Sequence, residues 1–433
     1  MSSTSATVST QFTPPRRRIP PPAPRKPGQP AVRLELIIIA GCLISMITFG
    51  IRSDFGLFTK PISDELGWGR EVYSLAIALQ NLVWGIFQPI AGGFADRYGT
   101  AKTLAVGAVI YVAAMVMVPF ADTPMELYLT AGLLAGVGIA VASFAIVMTS
   151  FARAVPESQR SWVLGIATAA GSLGQFVFVP VGQGFINAFG WQSAMIYLAF
   201  FVLLVIPLAW PLRGKSDQSG PAAGEMDLTL FQAFAKAFAH PSYILLLFGF
   251  FVCGFHVAFI AAHLPADLVD HGLSPSAGAW CLAIVGFFNI IGAYSAGVIG
   301  GKLPKQYILS VLYLGRAVAI TAFVLIPVSI YSAVMFSGFI GLFWFSTVPL
   351  TAGLVAAMFG TRYMGTLFGF VFLSHQVGSF IGVWLGGKIY DHTGSYDMMW
   401  WAGVAFALVA ALVHLPIKER LAPSFAASPQ PSQ

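Results

Sequence analysis

The stretch Gly92-Gly93-Phe94-Ala95-Asp96-Arg97-Tyr98-Gly99 decides how this chain is read. It falls where one long apolar segment ends and the next begins. Two adjacent charges are expensive inside hydrocarbon, so they belong at a helix end. The octet therefore reads as a short loop joining two membrane helices, with Lys102 as its nearby basic follower.

Outward from this loop, apolar runs of about 20 residues recur along nearly the whole chain, each long enough to cross roughly 30 Å of hydrocarbon as a helix. Of 433 residues, 57% are apolar, 14% aromatic and 9% charged. A soluble domain carries about 25% charge. The roughly ten-residue alternating stretches of a membrane β-barrel are absent. The fold class is an all-α membrane protein. Twelve helices are expected, near 34–58, 71–95, 101–121, 125–151, 160–184, 191–212, 242–268, 276–300, 305–327, 331–358, 363–387 and 395–416.

The segments divide into an N-terminal six-helix bundle, 34–212, and a C-terminal one, 242–416. Residues 1–33 are polar and Pro/Arg-rich. They read as a disordered cytoplasmic tail without a cleavable signal. Residues 417–433 form a second tail. The linker 213–241 begins with Gly, Ser and Pro. It then places Leu230, Phe231, Phe234 and Phe238 at helical spacing after Asp227, a possible N-cap, which points to an interfacial helix. With the N-terminus inside, most Lys and Arg fall in inside segments. Only Lys60, Arg70 and Lys388 fall outside, and Arg52 and Arg316 lie within helices. That bias predicts both termini on the cytoplasmic side of an inner or plasma membrane. The +6 net charge is this loop bias, with no nucleic-acid patch. Cys42, Cys253 and Cys281 read as small core residues, with neither disulfide framework nor metal spacing.

The two halves echo each other. Gly174 to Trp191 resembles Gly378 to Tyr396, and the octet has a decayed counterpart from Gly297 to Lys305 that lacks the acid. Such repeats are common in secondary transporters.

The pattern G-x-x-x-D-[RK]-x-G, after the second apolar segment, resembles the signature loop of the major facilitator superfamily. The resemblance implies two six-helix bundles working by alternating access, with Gly92, Asp96, Arg97 and Gly99 in conformational gating. Gly50-Ile51-Arg52-Ser53-Asp54-Phe55, running on to Lys60-Pro61, resembles helix 1 of the monocarboxylate branch. There a basic residue followed by Ser serves as the substrate-side cation, which places Arg52 and Ser53 in that role. The acid and Arg that this branch carries in helix 8 are here Asn289 and Ala293. The related oxalate carriers have an Arg in helix 8 and a Lys in helix 11, where this chain has His375, so neither the coupling pair nor the second cation carries over. Gly132 stands where drug exporters carry an Arg, and their Gly-Pro signature is missing after Gly174.

Ionisable groups inside the membrane are few: Arg52, Asp54, His256, His263, Arg316 and His375. Arg52 would pair with a substrate carboxylate. Alternatively it pairs with Asp54 or snorkels. Arg316 is a possible second cation, or a structural residue capping carbonyls or hydroxyls of helix 10 or 8. His375, Asp54 and His256 are candidates for proton coupling, with His375 first. Gln80, Trp84, Asn289, Tyr294, Trp344 and Gln376 could wall a pocket, as could Asn81, Gln88 and Gln175. No Ser/His/Asp set, phosphate loop or metal cluster is present, so no catalysis, cofactor or metal is assigned. The expected function is secondary transport of a small organic anion with a proton. The expected partners are that anion, the proton and the bilayer, and the chain reads as a monomer. The alternatives are a proton-antiporting exporter of amphipathic drugs and a non-transporting membrane sensor.

Overall fold

Gly190 folds a 47-residue helical stretch, Glu157–Leu203, into two helices, because its φ of 78° and ψ of 164° lie outside the helical region. A continuous span of that length would rise roughly 70 Å, far more than a bilayer. The arms pack against each other through Phe185–Tyr197 and Phe178–Phe201, with ring centroids 5.7 and 5.5 Å apart. Positive φ is cheap only for glycine, so the hairpin depends on this residue.

The computed structural model describes residues 34–155, 157–213, 230–360, 364–423 and 425. The described residues form helices joined by short turns and connections, with no strand among them. Among the described residues, eleven stretches are long and apolar enough to cross a membrane. One of them, Gly165–Leu208, is the pair joined at Gly190, so twelve helices result. We name them α1 (Leu34–Leu66), α2 (Arg70–Tyr98), α3 (Thr100–Phe120), α4 (124–154), α5 (157–189) and α6 (191–212). The second set is α7 (Pro241–Asp270), α8 (Pro275–Gly300), α9 (Lys305–Leu325), α10 (Ile330–Phe359), α11 (Met364–Thr393) and α12 (Asp397–His414). The end at which α1 begins is called the near end, and the opposite end the far end. Side chains such as Val106, Phe200, Val311 and Val318 are exposed on the outside. A water-soluble protein would not present so many, and lipid accounts for them.

Within the first half α1 packs on α5 and α3 on α4. Within the second, α7 packs on α11 and α9 on α12. The halves meet along α2–α11, α5–α8 and α1–α7. Three helices depart from the expected spans. α1 continues past 58, through a 3-10 segment, Asp54–Phe58, and a last helical piece, Thr59–Leu66. α4 breaks at Ala142–Ser143 and α10 at 344–346.

The octet is not a loop. α2 runs helically through Tyr98, and only Gly99, at φ 97°, makes the turn into α3. Its amide still reaches the Ala95 carbonyl at 2.9 Å, so the charged pair occupies the last helical turn. The linker forms a helix at Leu230–Phe238, whose Phe234 and Phe238 both pack on Phe370 of α11. Its earlier part, including Asp227, lies outside the described residues, as do the tail 1–33 and residues 426–433. Residues 417–423 pack back on the near end of α10, where the Ala422 amide donates to the Met358 carbonyl.

Candidate substrate site between the two halves

α1 carries Phe49, Arg52 and Ser53 into the seam between the halves. The Arg52 guanidinium donates to Asn81 Oδ1 at 2.6 Å and lies 4.6 Å from the Trp84 ring centroid. Both partners are one helical turn apart on α2. Asn81 gives its own amide to the Ile77 carbonyl, which fixes its oxygen toward the guanidinium. Trp84 gives its indole N–H to Gln88. Arg52 Nε meets no partner, and Arg52 forms no ion pair with Asp54, whose carboxylate oxygens are likewise unpartnered. The alternative of an Arg52–Asp54 pair is therefore absent. The cation is held by a neutral amide and a π face, which orient it without neutralising it.

Two narrow clefts meet at Phe49 and Arg52. One is lined from both halves: Ser53, Gln175 of α5, Val257 and Ala261 of α7, Leu282 of α8, and Trp344 and Phe345 of α10. The other lies within the first half, against Thr48, Trp84, Tyr111, Ile139, Ser143 and Phe144. Tyr111 Oη and Ser143 Oγ are buried there without partners.

The breaks in α4 and α10 deliver the aromatic walls. Phe144 follows the first break and Phe345 sits in the second. Phe49 stands between them, edge-on to each, at 6.1 and 5.7 Å. These three rings lie on the near side of Arg52, about one turn below it. The α10 break is fixed from two sides. Arg316 donates to the Phe343 and Trp344 carbonyls. Asn289 accepts the Phe345 amide at 2.9 Å and donates to Ser172 of α5 at 2.8 Å. The freed carbonyls meet a cation and the freed amide meets an oxygen, so the gap is satisfied inside the membrane.

The far end is fastened across the halves. Arg70 at the start of α2 makes a two-pronged bond to Asp270 of α7, at 2.6 and 2.8 Å. It also reaches the Tyr396 hydroxyl and lies 3.7 Å from the Tyr390 ring centroid. Asp391 accepts the backbone N–H groups of Arg70 and Glu71 at 2.9 and 2.8 Å. Lys388 lies 3.8 Å from Glu71.

The sequence profile of the Major Facilitator Superfamily matches residues 37–383. The chain belongs to this superfamily. An uncharacterized MFS-type transporter of Bacillus subtilis, YcxA, is 27% identical over 370 residues, covering 84% of this chain and 90% of its own length. Monocarboxylate transporter 13 of Bos taurus is 23% identical, covering 88% and 89%. Among solved structures, the inward-open xylose transporter XylE of E. coli superposes with a TM-score of 0.70 at 14% identity, over 89% of this chain and 96% of that one. That likeness shows the fold alone.

The structure places the remaining expected residues of this facilitator as follows. Arg52, Ser53, Trp84 and Trp344 line the central clefts. Gln80 is turned into its own half, donating to the Ala131 carbonyl of α4. Asn289 braces the α10 break. Tyr294 is 75% exposed. His375 lies between the rings of Phe250 and Phe372, its Nδ1 near Gln376 and Ser379. Gln376 is buried against Gly85 of α2. His256 donates from Nε2 to the Gly403 carbonyl at 2.8 Å. Arg316 lines neither cleft. It sits against the carbonyls of α10, the structural alternative that the sequence left open. Gly92 and Gly99 stand at the near end of α2, where Arg97 is exposed beside the Tyr98 ring. The Asp96 side chain lies outside the described residues. Among the described residues no cluster of metal-ligating side chains occurs.

Sequence reasoning missed Phe49, Tyr111, Phe345 and the far-end group Arg70, Asp270 and Asp391. A signal for the last existed. Gly92-x-x-x-Asp96-x-x-Gly99 recurs as Gly387-x-x-x-Asp391-x-x-Gly394.

Proposed function

We propose that this protein is a secondary transporter of a small organic monoanion, carried with a proton by alternating access between the halves 34–212 and 242–416. The observation that carries this reading is Arg52, a cation at the seam of the two halves with no acidic partner and an unpartnered Nε. A guanidinium so placed lacks one thing, a carboxylate, which it binds with two parallel N–H groups. The narrow apolar walls around it suit a small organic body. Relatives named as monocarboxylate transporters support the substrate class. Ser53 and Trp344 share the cleft with Arg52; Trp84 stacks on its guanidinium, and Asn289 supports the wall. The basic bias of the near-end loops supports a cytoplasmic near end in a cell's inner or plasma membrane. The far-end lock then makes this an inward-facing or occluded state.

The test is uptake of labelled monocarboxylates into proteoliposomes under an imposed pH gradient, inside alkaline. Accumulation of at least one carboxylate, lost in Arg52→Ala, is expected. No accumulation of any carboxylate, with transport of a cationic drug instead, would replace this reading with the exporter. A cysteine at Thr123 should label from outside in intact cells; labelling only after permeabilisation would invert the orientation.

A further inference from the structure

Asp54 is fully buried, and neither of its carboxylate oxygens meets a donor. A carboxylate in a dry interior with no partner is too costly to persist as an anion, and it resolves this by binding a proton. Its surroundings offer no other remedy. Arg52, two residues earlier, is directed to Asn81 and Trp84. Tyr111 of α3 lies within electrostatic reach of both Arg52 and Asp54. Tyr73 of α2 donates to the Phe55 carbonyl. On α5, the element against Oδ2 is Gly182, where a methyl group would sit 2.9 Å from that oxygen. On α7, His256, His263 and Asp267 are bonded to α12, to Val383 and Tyr396, and to Trp400. Asp270 is held by Arg70, with Lys60 beside it. None of these forms an ion pair with Asp54.

Asp54 also opens the 3-10 segment that seals the halves. Thr59, just past it, donates to the Ala262 carbonyl of α7 at 3.0 Å. Gly56 lies so close to the Ala261 carbonyl that a side chain there would overlap it. Opening the far end has to part this seam, and water then reaches Asp54.

We propose that Asp54 is the proton-binding site of this transporter: it is a carboxylic acid while the seam is closed, and ionises when the seam parts. The reading deepens the anion-carrier proposal and takes the identity of the cargo from it. Arg52 and Asp54 stand two residues apart on α1 and do not pair with each other. Each needs its own cargo before the seam dries: an anion at Arg52, a proton at Asp54. One proton bound to one carboxylate oxygen leaves the closed site neutral, and both cargoes leave together.

The test uses the full chain in liposomes and needs no substrate. Spin labels at Thr123→Cys and His392→Cys, in a Cys42→Ser background with the other two cysteines buried, report far-end separation by pulsed dipolar spectroscopy from pH 5 to pH 9. The closed population is expected to fall at least fivefold as pH rises. In Asp54→Asn it should stay closed and cease to respond to pH. Dicyclohexylcarbodiimide, which modifies protonated carboxyls in apolar surroundings, should label Asp54 of the unsubstituted protein at least tenfold more at pH 6 than at pH 9. That reading remains should Asp54→Asn fail to fold. An Asp54→Asn protein with the parent's pH response overturns the proposal. So does an Asp54 that carbodiimide never modifies, or a closed population set by sodium rather than by pH. Failure of the anion reading shows separately, as no carboxylate uptake beside an intact pH response.

Discussion

The carboxylate of Asp391 caps the helix that begins at Arg70, although the two residues belong to different halves of the molecule. α2 has no side-chain cap of its own. Both Asp391 oxygens accept amides of its first turn, where the helix carries its partial positive charge. The Arg70 side chain then crosses in the same direction to grip Asp270. One turn of α2 thus fastens the far end twice, and both fastenings must break when that end opens.

Asp391→Ala should therefore shift the protein toward the far-end-open state. Losing a helix cap costs roughly 0.5–2 kcal/mol, or about 2- to 30-fold in the conformational equilibrium. Thiol accessibility of a cysteine at Val257, in the central cleft, measures it from the far side. Accessibility unchanged from the parent would show that the cap is incidental.

Asp96 stands in the same pattern at the other end of α2. A carboxylate there, beside Arg97, can hold the near end in one state only. Asp96→Asn should slow transport through the conformational equilibrium while leaving substrate affinity within about twofold. Loss of binding with an unaltered conformational distribution would contradict this.

Arg52→Ala should weaken anion binding roughly tenfold to a hundredfold, since a charge-assisted hydrogen bond contributes about 1.5–3 kcal/mol. Arg52→Lys should retain part, because the charge remains but the planar fork is lost. Equilibrium binding of the anion identified by the uptake screen reads this directly. Normal affinity in a folded Arg52→Ala protein would reduce Arg52 to a packing residue.

Much of this was legible in the sequence. The twelve spans follow from apolar runs whose ends the structure moves by up to eight residues, the most at α1, expected to end at 58 and ending at Leu66. Arg52 stood out because a cation in an apolar run has few explanations. The exceptions have physical reasons. The octet reads as a loop because glycines and charges break helices on average, yet α2 stays helical through Tyr98 with Arg97 exposed in its last turn. The breaks in α4 and α10 are invisible locally: Ala142-Ser143 and Trp344-Phe345-Ser346 contain no proline. At α10 the break is held by tertiary partners, Arg316 and Asn289, which satisfy the freed groups. Arg70 reads in the sequence only as a loop charge, since its partners lie 200 and more positions away.

Arg316 should govern stability rather than affinity. Its Nε and Nη2 serve the Phe343 and Trp344 carbonyls and it is 1% exposed. Arg316→Ala leaves those carbonyls unpaired in a dry interior, at a cost of about 1–3 kcal/mol each. The melting temperature in detergent should fall by several degrees, with any surviving protein binding anion at near-parent affinity. A stable Arg316→Ala protein with binding lost would assign this residue to the substrate instead.

The far end should also respond to pH through His271. Its Nδ1 donates to the Asp267 carbonyl at 2.8 Å and lies 3.4 Å from the Asp267 carboxylate. The hydrogen bond to that side chain raises its pKa from 6.5 to about 9, against the opposing effect of burial. A raised value means the folded state binds the proton more tightly than the unfolded chain. The stabilisation is complete below about pH 6.5 and is lost as pH rises through about 9. The ring is nearly half exposed, so solvent and salt screen the effect and its size is modest. Its location gives it consequence. Asp267 also takes the Trp400 indole N–H at 3.0 Å, and Asp270 one turn on holds Arg70. Losing the His271 charge loosens the end of α7 that carries the lock. Hydrogen exchange of amides 267–272 should therefore speed up between pH 7 and pH 10, beyond the intrinsic base-catalysed rise, and high salt should blunt the change. His271→Gln should exchange at the faster level throughout. If the variant follows the parent's curve, the proton on His271 plays no part in holding the far end.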